Sequence, residues 1–265
     1  MIEIWLGAAL GVIKNLKSGS FDLIYIDPPF NTGKTQVSPR DSRLRYTDQF
    51  EEYQDWLLEH IREAQRLLTP TGSFFLHLDY REVHYMKVLC DTRFGRGHFK
   101  NEIIWAYDYG GRSKTRWPAK HDTILWYVND KDKYTFNYDS IDRIPYMAPS
   151  LVGAEKAARG KTPTDVWWQT IVPTNSKERT GYPTQKPERL LERIILTHSN
   201  PGDNVLGFFA GSGTTGAVAA KHGRHVTMVD RSDGALQTME RRILPLGVET
   251  SIRRNTTRKG AGNDG

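Results

Sequence analysis

Apolar positions along the 265 residues switch repeatedly between a period of two and a period of about 3.6, the spacings of strands and of helices. Residues 2 to 6 alternate as a strand does, and Gly7 to Leu16 read as a short helix before a turn at Lys17 to Ser20. Ile24, Tyr25 and Ile26 form a short apolar run of strand composition. Tyr53, Trp56, Leu57, Ile61, Ala64 and Leu68 give helical spacing from Glu51 to Leu68, and Thr69-Pro70-Thr71-Gly72 is expected to stop that helix. A strand over Ser73 to Asp79 follows, then a helix from Glu82 to Cys90. Ile103 to Tyr107 and Thr123 to Val128 read as two more strands. Past a stretch without clear period, Glu188 to Ser199 is amphipathic on Leu191, Ile194, Ile195 and His198. Val205 and Leu206 end a strand, Ala217 to Ala220 begin a helix, His225 to Val229 form a strand, and a last helix runs from Asp233 to Leu244.

Such alternation predicts an α/β chain built on an open sheet. Three segments stand outside it. Residues 31 to 49 are polar, carry Lys34, Arg40, Arg43 and Arg45, and are too long for a simple connection, so a mobile loop is expected there. Residues 129 to 180 gain Pro, Gly and Lys and read as an insertion, and the chain from Arg253 reads as a disordered tail. The expected organisation is one domain over residues 1–252 with a tail at 253–265.

Charge changes this picture more than composition does. A formal net charge of +6 and a pI near 9.3 favour an anionic partner, with nucleic acid first. The single cysteine, Cys90, cannot form an internal disulfide, and no run approaches the roughly 18 apolar residues of a membrane span. With no signal peptide in view the expected location is the cytoplasm, associated with the nucleoid through DNA. No set of residues has metal-ligand spacing, so no metal is expected.

Candidate chemistry collects at strand ends. After Ile26 the chain reads Asp27-Pro28-Pro29-Phe30. Two prolines cannot continue a paired strand, so the chain leaves the sheet at Asp27, at the rim where open α/β sheets bind ligands. Asp27 and the Pro28 carbonyl are acceptors suited to an exocyclic NH2 group, and Phe30 offers a face on which a base could stack. A second stretch, Gly207-Phe208-Phe209-Ala210-Gly211-Ser212-Gly213-Thr214-Thr215, reads as strand, glycine loop and helix start. About twenty residues on, a strand ends in Asp230, where dinucleotide-type folds place an acid on a ribose. Residues 108 to 120 interleave Arg112, Lys114, Arg116 and Lys120 with Tyr109 and Trp117, a mixture suited to phosphate contact and base stacking.

These stretches together resemble the beta class of amino-directed DNA methyltransferases, which use S-adenosylmethionine. The family's catalytic Asp-Pro-Pro-[Phe/Tyr] corresponds to Asp27 to Phe30, its Phe-x-Gly-x-Gly-Thr-Thr cofactor loop to Phe209 to Thr215, and a third block to Gly181 to Leu191. The resemblance covers roughly residues 1 to 245. It implies a Rossmann-like fold, circularly permuted so that catalysis precedes cofactor, with target recognition inserted around residues 129–180. It also implies double-stranded DNA as partner, a possible homodimer and a role in restriction-modification. Asp27, Pro28, Pro29 and Phe30 would hold a base turned out of the helix. Gly207 to Thr215 would line the cofactor, with Thr184 and Lys186 at its methionine end and Asp230 at its ribose. Lys34, Arg112, Lys114, Arg116 and Lys120 would face DNA. Asp in first position of the catalytic motif goes mainly with adenine N6, whereas Ser goes with cytosine N4.

Two positions depart from the family. Gly207 stands where it usually has Asp, and Ala8 follows Gly7 where it usually has Gly-Asp. Both missing acids would approach the cofactor. Three readings therefore remain open: an adenine-N6 methyltransferase, a cytosine-N4 methyltransferase, or a DNA-binding protein of the same fold with weakened or lost turnover.

Overall fold

The computed structural model describes residues 1–38 and 41–255. Arg40 of the expected mobile loop, and the expected tail from residue 256 onward, lie outside the described residues.

Strands β1 (Ile2–Leu6), β2 (Phe21–Ile26), β5 (Leu68–Leu78), β6 (Phe99–Ala106), β7 (His121–Val128), β8 (Val166–Trp168), β9 (Asn204–Phe208), β10 (His225–Asp230) and β11 (Thr250–Arg254) form one sheet. Its order is β11-β1-β10-β9-β2-β5-β7-β6-β8. Strands from β11 to β5 run parallel, whereas β7 runs antiparallel to β5 and to β6. The carboxyl ends of β1, β10, β9, β2 and β5 therefore share one edge with the start of β7. A separate hairpin pairs β3 (Lys34–Val37) with β4 (Arg45–Asp48).

Side-chain alternation sorts the core into two layers. Leu23, Tyr25 and Phe75 face one way, toward helices α5 (Glu188–His198), α6 (Thr214–Lys221) and α7 (Asp233–Ile243). Ile24, Ile26, Phe74 and Leu76 face the other, toward α1 (Ala9–Ile13), α2 (Tyr53–Leu67) and α3 (Val83–Phe94). A parallel sheet covered on both faces needs strands apolar at nearly every position, and Leu23 to Ile26 meet that need.

Several elements differ from what periodicity predicted. Thr69 to Gly72 do not close the α2 helix with a free turn: the chain passes directly into β5, which begins at Leu68. The β2–β5 register breaks between Phe21 and Leu23, so residues 69–72 stand outside the ladder and Pro70 need not donate to it. Residues 31 to 48 are not a free loop, because the β3–β4 hairpin occupies most of them. Helix α1 spans only five residues, and Ala8 before it has no side chain that could cap it. The 129–180 stretch contains α4 (Ala154–Arg159) and β8, which pairs with β6 at the sheet edge. Arg253 and Arg254, assigned to a tail, pair with Trp5 and Leu6 in β11, so the sheet extends past residue 252. No described helix is long and apolar enough to cross a membrane.

Candidate active site

The chain leaves the sheet at Asp27 as its two prolines require. Pro28 is buried, and no described group donates to its carbonyl, whereas the Pro29 carbonyl accepts from the Tyr53 hydroxyl at 2.6 Å. Asn31 then takes a φ of 56°, in the left-handed region, and ties the corner down: its amide donates to Asp48, its Nδ2 donates to Glu82, and its Oδ1 accepts from the Phe50 amide. Thr184 and Phe209 are the other described non-glycine residues with positive φ, at 58° and 66°. Thr184 and Phe209 lie in the motifs singled out above and Asn31 directly follows one, and strain of this kind persists where the surroundings over-determine the backbone.

Lys186 packs against Asp27. Its Nζ donates to both carboxylate oxygens of Asp27, at 2.8 and 2.7 Å, and stands 4.9 Å from the centre of the Phe30 ring. The residue is only 8% exposed, so the ion pair is shielded from water. Beneath Phe30 lies a polar chain that sequence reasoning largely missed. The Tyr25 hydroxyl is 2.7 Å from His77 Nδ1, His77 Nε2 is 3.2 Å from Asp122, and the Tyr107 hydroxyl donates to Asp122 at 2.9 Å. With Asp122 accepting from Nε2–H, Nδ1 is left to accept from Tyr25. His77 is fully buried, and its ring lies 5.8 Å from that of Phe30. It is thus a satisfied core histidine and also the floor under Phe30. Burial opposes ionisation of Asp122, yet the His77 hydrogen bond, with nearby Lys186, holds its carboxyl below the usual range. Burial, with Asp27 and Asp122 close by, pushes the Tyr25 phenol well up. The antiparallel pairing of β5 with β7 creates this chain, and no local spacing announces that pairing.

The glycine loop follows β9. Gly207 lies within that strand, beside Met228 of β10. Phe208 is buried, and the half-buried Phe209 packs on Trp56 and His60, so both rings lie toward α2. The Ala210 amide donates to Val229, while the Gly211 amide donates to the Asp230 carboxylate at 2.8 Å. Gly213, with φ 71°, is the left-handed N-cap of α6; a Cβ there would lie 2.7 Å from Met239. Ser212 and Thr214 are buried and hydrogen-bonded to each other, and Thr214 also donates to the Lys186 carbonyl at 3.1 Å. Thr215 lies half-buried at the helix start. Asp230 takes the Gly211 and Ser232 amides, and burial raises its carboxyl pKa. The Arg231 amide also bonds this carboxylate, which leaves about one of its four acceptor sites for a ribose hydroxyl. Ala8 stands exposed just past β1, two strands from Gly207.

The β3–β4 hairpin and its connection reach across this side. Tyr46 hydroxyl lies 3.2 Å from the Thr184 hydroxyl, Ser38 donates to the Gly181 carbonyl, and Leu44 is buried against Gly234 at the start of α7. Tyr182 covers Gly211 so closely that a Cβ there would lie 3.0 Å from its ring. Among the described residues no group of three or more His, Cys, Asp and Glu could hold a metal ion.

Asp27 and its proline corner, the glycine loop and Asp230 thus gather at one edge of the sheet, and comparison with known proteins gives the family. Residues 21–241 match the family described as DNA methylase. The chain belongs to this family of amino-directed DNA methyltransferases. It is 36% identical over 231 residues to the DNA adenine methyltransferase YhdJ of Escherichia coli, covering 82% of this chain and 74% of that one. It is 33% identical over 235 residues to the type II methyltransferase M.HpaI of Haemophilus parainfluenzae, covering 89% and 72%. Among solved structures it is similar to the M1.HpyAVI–SAM complex, with a TM-score of 0.64, 26% identity, and coverage of 92% and 99%.

On this DNA methyltransferase the expected DNA-facing cations are differently employed. Lys34 is exposed on the hairpin, and Lys114 and Arg116 are exposed in the 108–120 loop. Arg112 pairs with Asp108 at 2.7 Å, and the Lys120 ammonium donates to the carbonyls of Tyr109, Gly110 and Gly111. Lys120 therefore shapes the loop. Arg116 lines a cavity of about 310 Å³ with Asp79, Tyr107, His121 and Asp122, and Trp117 next to it is 96% exposed.

Proposed function

We propose that the enzyme methylates the N6 amino group of adenine in double-stranded DNA, on a base turned out of the helix, with S-adenosylmethionine as methyl donor. The observation that carries this reading is the Asp27 to Phe30 corner at the end of β2, where a carboxylate, an unused Pro28 carbonyl and an aromatic face converge. Asp27 and the Pro28 carbonyl accept the two amino hydrogens, which turns the nitrogen lone pair out of ring conjugation. Phe30 holds the ring in its plane, and His77, fixed by Asp122 and Tyr25, supports Phe30 from behind. The nitrogen that gains a methyl must give up one proton, and the Asp27 carboxylate is the acceptor beside it. Catalysis is then positioning and charge complementarity at a preorganised corner.

The donor set of this chain fits the cofactor: Asp230 for a ribose hydroxyl, the Gly211 to Thr215 backbone at the start of α6, and a hairpin that covers them. When bound, S-adenosylmethionine supplies an electrophilic methyl. Lys34, Lys114 and Arg116 meet phosphates, and the irregular chain from 129 to 180, with Trp168 and Met147 protruding, reads the target sequence. An enzyme of this kind works in the cytoplasm, on the nucleoid.

Adenine is favoured over cytosine by Asp27 in the first motif position and by likeness to a relative named for adenine. Mass spectrometry of digested DNA from cells with and without the gene tests this, with N6-methyladenine expected. N4-methylcytosine alone would overturn the choice of base. A second reading, a fold-retaining DNA binder with little turnover, is favoured by Ala8 and Gly207. Calorimetric titration with S-adenosylmethionine separates the two, since micromolar binding leaves the second without support.

A further inference from the structure

Lys186 stands where the target amino group belongs. Its ammonium gives donors to both Asp27 oxygens and a positive charge to the Phe30 ring, the two groups that the proposed clamp offers a base. An ammonium 4.9 Å from the ring centre and within 2.8 Å of the carboxylate fills the space that a stacked base and its amino group would occupy. Base and lysine are therefore alternative occupants of one place.

The backbone carrying Lys186 is built to hold that pose. Thr214 of the glycine loop donates to its carbonyl, Pro187 follows it and begins α5 as N-cap, and Thr184 two residues earlier is strained at φ 58°. Only the side chain is free to choose a partner. Burial makes an unpaired ammonium costly, so Lys186 and Asp27 hold each other while the site is empty.

We propose that Lys186 is a stand-in for the target amino group, holding Asp27 in its productive orientation while the site is empty, and that a base enters the clamp only as the Lys186 ammonium leaves Asp27. The inference rests on reading Asp27 to Phe30 as the clamp. It makes Lys186 a positioning residue, in place of the methionine-end contact expected from sequence.

Two measurements test it. In the free protein, acetic anhydride labelling of Lys186 followed by mass spectrometry should be slow, and about tenfold or more faster in Asp27→Ala, from the weight of a charge-assisted hydrogen bond. Equal rates would show that Asp27 does not hold Lys186, and would end the proposal whatever the enzyme's substrate. The second uses a duplex carrying 2-aminopurine at the base the enzyme is found to methylate, without cofactor. Lys186→Met removes the competitor and should raise fluorescence and affinity, whereas Lys186→Arg, with a two-pronged grip on Asp27, should lower both. A fall in Lys186→Met, with its melting curve still cooperative, would mean that the lysine assists the base, and would overturn the proposal. If Asp27→Ala leaves the 2-aminopurine signal untouched, the clamp reading itself has failed.

Discussion

Asp27 is held by one partner, Lys186, and faces one neighbouring carbonyl with no donor. Replacing it removes one of the two acceptors proposed for the amino group without touching the exposed loop cations. Asp27→Ala is therefore expected to lower methyl transfer by orders of magnitude while DNA affinity changes little, as read by single-turnover methylation and a binding isotherm on the same duplex. Near-normal turnover would remove Asp27 from catalysis. The variant should also melt earlier, because it leaves a buried ammonium without its anion. At this scale the sequence was legible where chemistry is local: Asp27, the two prolines, Gly211, Gly213 and Asp230 stand at strand ends as read. The Lys186–Asp27 pair was not legible because its partners lie 159 residues apart, and Asp122 was missed because an antiparallel neighbour brings it to His77. Phe208 and Phe209 were legible as part of the loop motif, but not the packing of their rings toward α2, which the tertiary fold sets.

Helices with clear amphipathic spacing, α2 and α5, appear within two residues of expectation, because the buried face fixes both their existence and their extent. The β3–β4 hairpin was not legible: its strands are four residues each, mostly polar, and stabilised by Asp48 accepting from Asn31 and Thr32. Loop 108–120 was legible as charge but not as geometry, since Lys120 and Arg112 are spent inside it. Lys114→Ala or Arg116→Ala should weaken DNA binding and flatten its salt dependence, each lost phosphate contact removing a slope of about 0.9. Lys120→Ala should instead loosen the loop, and an unchanged slope in both Lys114→Ala and Arg116→Ala would take the loop off DNA. Helix α5 carries a second prediction. His198 is buried among Phe75, Trp126 and Phe136, its Nδ1 has no partner, and burial pushes its pKa from 6.5 down to about 3. The unfolded chain then binds a proton that the folded one refuses, so this contribution is complete above about pH 6.5 and is lost as pH falls toward 3. At roughly 1.4 kcal/mol per unit, several kcal/mol is at stake. Melting temperature against pH should fall less steeply in His198→Phe than in the parent between pH 6.5 and 4.5; parallel curves would show that His198 is not buried neutral.

No single element makes the cofactor site; the sheet order does. Ala8 ends the β1 edge, Asp230 ends β10 and Gly207 lies in β9, and these strands are consecutive neighbours although Ala8 and Gly207 are nearly two hundred residues apart in sequence. A Cβ on Gly207 would meet Thr215 at 3.6 Å and the Tyr25 carbonyl at 3.7 Å, ordinary contact, so the strand has room for a side chain. Ala8 is exposed at the N-cap of α1, where an Asp would also satisfy a helix amide, contributing about 1 kcal/mol. Restoring both acids with Ala8→Asp and Gly207→Asp should therefore tighten S-adenosylmethionine binding, at about 1.5 to 3 kcal/mol per charge-assisted bond and up to roughly 10²- to 10⁴-fold together. The dissociation constant by calorimetry reads the gain, and the melting temperature without ligand reads the fold. Ala8→Asp alone should raise the melting temperature, because capping needs no cofactor. Gly207→Asp alone should lower it, because its carboxylate is buried beside Thr215 until a cationic group arrives to pair with it. Tighter binding in the double variant would mark the chain as an enzyme whose cofactor site lacks two acids. Weaker binding with an intact fold would mean that the pocket is built around the small residues, and that the cofactor lies elsewhere along the rim.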